Sequence, residues 1–316
     1  MTGYLKQSPL PLQFVTFIGF FFGFTSLYLV GVGTLFPMLT GHSLAALQNV
    51  DLKDANLIGY LKITQFLYTI ISYFIPAAVF AYLWQPSPMR YLGLKPAPKG
   101  WQVLLALMVM YSVLWFAGLV NQWNQTWNVP QAARDMQAQT EQLVKIMLHM
   151  PQPKDLLINL LLIAAVPAIA EELFFRGVLQ RLMIKSTGKV WLSVFITAIL
   201  FSAVHLEMLG FMARVVLGFV LGAIYVISGN LWLSIFAHIL NNGLQVIMIY
   251  MFQHGMMKTD PTKDTPVAWY IGLLSFVVTI GLMWALSKKS TPMDMTDKPE
   301  KVENKDVDHI GVDENL

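Results

Sequence analysis

The sequence predicts an all-α fold, a polytopic transmembrane helix bundle of about eight spans. Hydrophobic residues make up 56% of its 316 residues, and charged residues make up only 12%. Eight apolar stretches, separated by polar loops, recur along the chain at lengths that suit transmembrane helices. Such a composition is typical of an integral membrane protein and excludes a water-soluble domain with a large core.

The predicted spans divide the chain into four regions. The spans lie near residues 12–39, 58–84, 101–120, from 156 onward, 190–205, 211–227, 231–251 and 267–286. The regions are 1–155 with spans one to three, 156–252 with spans four to seven, 253–290 with the last span, and a charged tail, 291–316, expected to be disordered and cytoplasmic. Between spans three and four, Leu143, Ile146 and Met147 predict one apolar side of an amphipathic surface helix within 131–150.

Basic residues predict the orientation of the bundle. They concentrate after the second, fourth and last spans, and they are Arg90, Lys95, Lys99, Arg176, Arg181, Lys185, Lys189, Lys288 and Lys289. An even number of spans puts these loops and both termini on one side, which the positive-inside rule assigns to the cytoplasm. We therefore expect a protein of the cell membrane with both termini cytoplasmic.

Two adjacent carboxylates interrupt the fourth apolar run. Glu171 and Glu172 lie where hydrocarbon is expected, and a charge near the bilayer centre costs about 2.5–3.5 kcal/mol on insertion scales. Arg176 follows Glu172 by four residues, so the two share a helix face and can pair. Glu171 is rotated by about 100° from Glu172 in an α-helix. This geometry predicts a structural Glu172–Arg176 pair and a freer carboxylate at Glu171.

Two more polar pairs with the same spacing follow in later spans. Phe201 and His205 share a face of the fifth span, and His238 and Asn242 share a face of the seventh. A buried histidine alone is often only a packing hydrogen bonder. Together with Glu171, these residues supply a base, a second proton carrier and hydrogen-bond donors, which peptide hydrolysis in a water-poor site requires.

The three pairs resemble the motifs of a known family. Glu171-Glu172-x-x-x-Arg176, Phe201-x-x-x-His205 and His238-x-x-x-Asn242 are similar, in order and spacing, to the motifs of the CAAX protease and bacteriocin-processing family. That family of intramembrane endopeptidases includes the type II CAAX prenyl proteases and the abortive-infection proteins. The resemblance covers about residues 156–246, and the first three spans carry no motif of the family.

The resemblance implies a glutamate-dependent endopeptidase without a cofactor. Its substrate would be a protein or peptide at the membrane, prenylated or not, and its partners would be that substrate and the lipid bilayer, without nucleic acid. The implied roles are Glu171 as the base that activates water, His205 as its helper, His238 and Asn242 as hydrogen-bond donors to the oxyanion, and Glu172, Arg176 and Phe201 as structural support.

Other functions use the same residues. Glu171, His205 and His238 form a His₂Glu set that would suit a catalytic zinc, although the H-E-x-x-H signature is absent. The lack of cysteine excludes disulfides, thiolate nucleophiles and cysteine-bound zinc. A non-enzymatic immunity or scaffold protein would use the polar residues to fix helix packing. A transporter is disfavoured because the two halves show no repeat symmetry.

One feature of the predicted spans conflicts with a single site. His205 falls near the far end of span five, whereas His238 falls near the start of span seven. At about 1.5 Å per residue, the two histidines differ in depth by roughly a third of the bilayer. We expect span five to begin later than Val190, or span seven to be shifted or tilted.

Overall fold

A computed structural model describes residues 3–48, 54–262 and 265–293, and this part of the chain is helical without any strand. Short helical turns aside, its helices are α1 (Leu10–Thr40), α2 (Asn56–Trp84), α3 (Gly100–Gln125), α4 (Gln131–Met147), α5 (Pro153–Thr187), α6 (Val190–Ala203), α7 (Phe211–Ser228), α8 (Leu231–Gln253) and α9 (Trp269–Lys288). Seven of them, all except α4 and α6, are long and apolar enough to cross a membrane. The predicted all-α polytopic bundle is confirmed.

The fifth predicted span is the exception in length. Helix α6 has 14 residues, so it is about 21 Å long and falls short of a hydrocarbon core of about 30 Å. After Ala203 the chain continues as the loop 204–210, which ends in the 3₁₀ turn Met208–Gly210 before α7. His205 lies in this loop and is exposed.

The predicted change in helix boundaries is wrong. Helix α6 begins at Val190 and α8 begins at Leu231, where the hydropathy pattern places them. The His205 ring turns back along α6, and its Nδ1–H donates to the Phe201 carbonyl one turn earlier, at 2.8 Å. Side chains on a helix tilt toward its N-terminus, which favours this direction.

Helices α2 and α5 both contain widened π turns. Pro76 follows the π turn Ile70–Phe74 in α2, and Pro167 follows the π turn Leu160–Ala165 in α5. Proline lacks an N–H and its ring collides with the carbonyl four residues back, and a π turn relieves both problems inside a membrane. A third π turn, Leu173–Gln180, has no proline and follows the two carboxylates directly. π turns occur frequently at functional sites.

The two ends of the described chain meet at one end of the bundle. Gly3 N–H donates to the Leu83 carbonyl at the end of α2, and Met293 N–H donates to the Val226 carbonyl near the end of α7. Lys289 lies over the ring of Trp101 at the start of α3. We call this the basic end, because the basic residues of the predicted cytoplasmic loops lie in or beside these segments.

The first residues of the predicted disordered tail contact the bundle. Thr291 and Met293 approach Gly229, and Met293 contacts the core. The remainder of that prediction, 294–316, lies outside the described residues.

The amphipathic helix between spans three and four is confirmed as α4, which buries Ile146 and Met147 against Leu57 and neighbouring residues.

Two pairs of glycines, each four residues apart, differ in how closely other helices approach them. At Gly218 and Gly222 of α7, an added Cβ would lie 3.1 Å from Phe201 and 2.5 Å from the Gln180 side chain, so α7 approaches α5 and α6 closely. At Gly19 and Gly23 of α1, no atom of the described chain comes within 4 Å of such a Cβ. Within the described structure, other helices therefore approach the α7 glycines closely but not the α1 glycines.

Candidate active site

Helix α5 buries Glu172 and Arg176 against α7 and α8. Arg176 Nη1 donates to Glu172 Oε1 at 2.7 Å, and neither side chain is exposed. The second guanidinium nitrogen, Nη2, donates to the carbonyl of Gly218 at 2.9 Å, and the guanidinium carbon lies 4.5 Å from the centre of the Phe201 ring. The predicted Glu172–Arg176 pairing is confirmed, and Gly218 permits the close approach that completes it.

Glu172 also accepts two hydrogen bonds from α8. His238 Nδ1 lies 2.9 Å from Oε1, and the Ser234 hydroxyl donates to Oε2 at 2.6 Å. Ser234 is fully buried and lies one turn before His238 on the same face. Sequence reasoning missed Ser234, although its position four residues before a motif histidine was a usable signal.

Glu171 has different surroundings, although it is the next residue. Its side chain keeps 17% of its surface exposed, and its Oε2 lies 3.8 Å from His238 Nε2. His238 thus stands between the two carboxylates, bonded to one through Nδ1 and facing the other with Nε2. The freer carboxylate predicted from the helical rotation is Glu171.

Phe201 connects His205 with the rest of the group. Its buried ring lies 5.1 Å from the His205 ring and 5.8 Å from the His238 ring, measured between centroids and both edge-to-face. The His205 Nδ1–H is used by the Phe201 carbonyl, which leaves Nε2 as the nitrogen open to a substrate or water. The Phe201 ring therefore contacts both histidine rings.

The loop that carries His205 is held by the end of α3. The buried Asn124 side chain donates to the Met208 carbonyl at 3.0 Å and accepts from the Met212 N–H at 2.8 Å. Leu206, directly after His205, has a positive φ of 58°, a conformation that costs a non-glycine residue roughly 1–3 kcal/mol. Asn124 was missed by sequence reasoning because α3 carries no motif.

Asn242 lies one turn beyond His238 on α8. Its Oδ1 accepts a hydrogen bond from Asn241 Nδ2 at 3.0 Å. This bond uses the carbonyl side of the Asn242 amide, and it leaves the Nδ2 hydrogens for another acceptor. Asn241 was not among the predicted residues, because it lies outside the i, i+4 spacing.

The zinc alternative requires Glu171, His205 and His238 to share one ion. Within residues 3–48, 54–262 and 265–293, no three His, Asp or Glu side chains are grouped so that they could hold a metal ion. The three side chains do not fit a metal centre in this arrangement, and we derive no step through a metal.

The bundle and its polar centre define a class of protein: a helical membrane protein with an ion-paired site between its helices. The comparisons with known proteins agree with that class and narrow it. Residues 153–244 match the family model described as type II CAAX prenyl endopeptidase Rce1-like. Over this segment, the match supports the resemblance to the CAAX protease and bacteriocin-processing family. Neither the curated proteins nor the solved structures gave a significant match.

The matched segment begins at Pro153, the first residue of α5, and ends at Leu244 in α8. It therefore includes all seven residues of the three motifs and also Ser234. Asn124 lies outside it. The family is one of proteases, which supports a hydrolase.

Proposed function

We propose that this chain is an intramembrane glutamate-dependent endopeptidase that hydrolyses a peptide bond of a membrane-associated substrate. The observation that carries the proposal is the contrast between the carboxylates. Glu172 accepts three hydrogen bonds and is fully buried, whereas Glu171 remains partly exposed and faces a histidine nitrogen. A general base needs a lone pair that is not already used, and Glu171 has one.

In the proposed reaction, Glu171 takes a proton from a water molecule as the water oxygen attacks the scissile carbonyl carbon. The carbonyl π electrons move to its oxygen and produce a tetrahedral oxyanion. When the C–N bond breaks, Glu171 returns the proton to the leaving amine, and the carbonyl re-forms as a carboxylic acid. The carboxylate thus ends the cycle ionised, as it began.

Hydrogen bonds from α8 stabilise the oxyanion in this scheme. Ionised Glu172 can only accept, so His238 Nδ1 carries a proton, and Nε2 can donate only when His238 is an imidazolium. That charge state also balances the site, because Glu171 and Glu172 are then matched by Arg176 and His238. A neutral total avoids the cost of an uncompensated charge within the bundle. The free Nδ2 hydrogens of Asn242 provide the second donor.

His205 positions the attacking water in this proposal. Its Nδ1–H is held by the Phe201 carbonyl, which fixes the orientation of the ring and presents Nε2 as an acceptor. Asn124 maintains the loop behind it. Both residues act through placement, and the chemical step stays with Glu171.

A scaffold or immunity function without catalysis would explain only part of the site. The network of Glu172, Arg176 and Ser234 suits a structural role, since all three are fully buried and joined by hydrogen bonds. Glu171 makes none of these hydrogen bonds, and a second carboxylate inside the bundle is costly without a use.

The test is hydrolysis of a peptide library by purified, reconstituted protein with and without a strong metal chelator. We expect wild-type activity to persist in chelator and to fall about 10²–10⁴-fold in Glu171→Gln, the usual range for a general base. Glu141→Gln is the matched control, because Glu141 is an exposed carboxylate on α4. Chelator inhibition that added zinc reverses would reject the glutamate mechanism but retain a protease. Equal activity in wild type and Glu171→Gln would reject Glu171 as the catalytic base.

We also propose that the basic end faces the cytoplasm of a cell whose plasma membrane holds the protein. The chain contains no cysteine, so Lys95→Cys introduces a single thiol at this end. An impermeant maleimide added outside intact cells should leave the thiol unlabelled and should label it after lysis. Labelling from outside would reverse the orientation.

A further inference from the structure

Helix α2 brings a buried phenol to the candidate active site. Tyr73 lies in the π turn Ile70–Phe74, and only 6% of the residue is exposed. This turn packs against Val166–Glu172, the part of α5 that ends in the two carboxylates. A buried tyrosine hydroxyl normally has a hydrogen-bond partner. Tyr73 belongs to none of the three motifs, so its role follows from its contacts alone.

The Tyr73 ring packs on the face of α5 that carries Glu171. Phe174 and Phe175 follow Glu171 by three and four residues, so the three side chains occupy neighbouring positions of that face. The Tyr73 ring centre lies 5.3 Å from that of Phe174 and 6.1 Å from that of Phe175. The Tyr73 hydroxyl and the Glu171 carboxylate are also close enough to interact electrostatically. Both observations place the phenol on the Glu171 side of α5.

The Tyr73 hydroxyl has a proton to donate. Its oxygen lies 3.4 Å from the hydroxyl oxygen of Tyr68, and either group can be the donor in this contact. When Tyr68 donates, the Tyr73 oxygen accepts, and the Tyr73 proton is directed to another acceptor. An ionised carboxylate is a stronger acceptor than a neutral phenol, so the charge on Glu171 favours this order. The two phenols then form a chain in which each hydrogen bond strengthens the next.

Glu171 therefore lies between two helices that both present a polar group. On the α8 side, His238 Nε2 is 3.8 Å from Glu171 Oε2, and on the α2 side stands Tyr73. On α5 itself, Arg176 attracts Glu171 electrostatically, although the Arg176 Nη1 hydrogen bond goes to Glu172. A carboxylate has two oxygens, so one oxygen can be held by a donor while the other accepts a proton.

We propose that Tyr73 is a positioning residue for Glu171. Its hydroxyl donates to one carboxylate oxygen, directly or through one water molecule, and Tyr68 orients that hydroxyl. The proposal rests on the proposed function, in which the other oxygen of Glu171 takes the proton from the attacking water. A general base is effective only in the correct orientation, and a phenol from a span without motifs supplies that orientation.

The first experiment measures peptide hydrolysis by purified, reconstituted Tyr73→Phe, a change that removes one oxygen and keeps the ring. We expect kcat to fall about 10–100-fold, the usual loss when a partner that orients a functional side chain is removed. KM and the melting temperature should stay near the wild-type values, because the ring packing does not change. Tyr60→Phe is the matched control, since Tyr60 is a partly buried tyrosine of α2 whose ring contacts Phe36. Wild-type kcat in Tyr73→Phe, or equal losses in both variants, would overturn the proposal.

A double-mutant cycle tests whether Tyr73 acts through Glu171. In the Glu171→Gln background, Tyr73→Phe should change the remaining rate by less than about twofold, because the base that it orients is already removed. A further loss of about 10–100-fold would show an independent role and overturn the positioning. Wild-type activity in Glu171→Gln would reject Glu171 as the catalytic base. An inactive Glu171→Gln beside a fully active Tyr73→Phe would reject only the role of Tyr73.

A spectroscopic measurement tests the same contact independently of activity. With 3-fluorotyrosine at position 73, the ¹⁹F chemical shift reports the hydrogen bonding of the adjacent hydroxyl. The signal should move in Glu171→Gln and stay in place in Glu141→Gln, which changes an exposed carboxylate on α4. An unchanged signal in Glu171→Gln would overturn the proposal, whatever the activity of the chain.

Discussion

Glu171 and Glu172 are neighbours on α5, yet the regions around them have opposite properties. Around Glu172, the ion pair with Arg176 and the bonds from Ser234 and His238 form a fully buried network that contacts α7 and α8. Around Glu171, the side chain is partly exposed, and His238 Nε2 lies 3.8 Å from its Oε2. The rotation of about 100° between consecutive helical residues is enough to produce this difference.

The region around Glu172 fixes geometry, whereas the region around Glu171 keeps free bonding capacity. His238 belongs to both, because Glu172 holds its Nδ1 and thereby aims Nε2 at Glu171. Groups that do chemistry work best when a surrounding shell locks their orientation. Substitutions in the two regions should therefore affect different measurable quantities.

The largest effect on stability should come from Glu172→Gln. It leaves Arg176 buried without its counter-ion, which typically costs about 3–5 kcal/mol in the free energy of unfolding. The measurement is reversible unfolding in mixed micelles, with Glu171→Gln as the paired variant. We expect Glu171→Gln to unfold within about 1 kcal/mol of wild type, because Glu171 lies outside the network. Similar losses in both variants would remove the distinction between the regions.

A somewhat smaller effect, on rate rather than on stability, should come from Asn242→Ala. Loss of one oxyanion donor raises the barrier by about 2.7–4 kcal/mol, which lowers kcat about 10²–10³-fold. Asn241→Ala is the companion variant, since it removes only the bond that orients Asn242 and should reduce kcat less. Both should melt like wild type. A larger loss in Asn241→Ala than in Asn242→Ala would mean that the donor assignment is reversed.

The smallest effect should come from Ser234→Ala. It removes one hydrogen bond to a charged group, worth about 1.5–3 kcal/mol, while the Glu172–Arg176 pair stays intact. Unfolding in the same micelles measures this loss. Ser287→Ala serves for comparison, because Ser287 is only half-buried and its hydroxyl donates to the Trp284 carbonyl of its own helix. If Ser234→Ala proved as stable as Ser287→Ala, the Ser234 hydrogen bond would not contribute to the stability of the network.

Local spacing predicted the parts of the site that lie on single helices. The Glu172–Arg176 pair follows from four-residue spacing, and the freer Glu171 follows from helical rotation. Ser234 has the four-residue spacing to His238, but spacing could not show that its partner is Glu172 on another helix. Asn124 could not be identified in this way, because its partners lie in other elements and asparagine is ordinary in such a segment. The bond between His238 and Glu172 was missed for the same reason.

Local sequence patterns had the same limit in predicting the fold. Hydropathy located the start of α6 at Val190, but it could not show that the helix ends at Ala203 and is followed by the partly exposed loop 204–210. Glycine spacing was identical in α1 and α7, and only α7 has close neighbours at both glycines. Spacing describes one helix, whereas packing depends on what the other helices present to it.

The bonds from Asn124 have a consequence for where the smallest working unit of this protein ends. The segment that matches the family starts at residue 153, and a protein trimmed to it would lack α3. The Met208 carbonyl and the Met212 N–H would then lose their shared partner, and Leu206 would lose the anchor that helps maintain its left-handed backbone. The limits of a recognisable motif region are therefore not the limits of an autonomous domain. Helix α3 carries no motif, and yet its Asn124 helps to hold the loop of the candidate site.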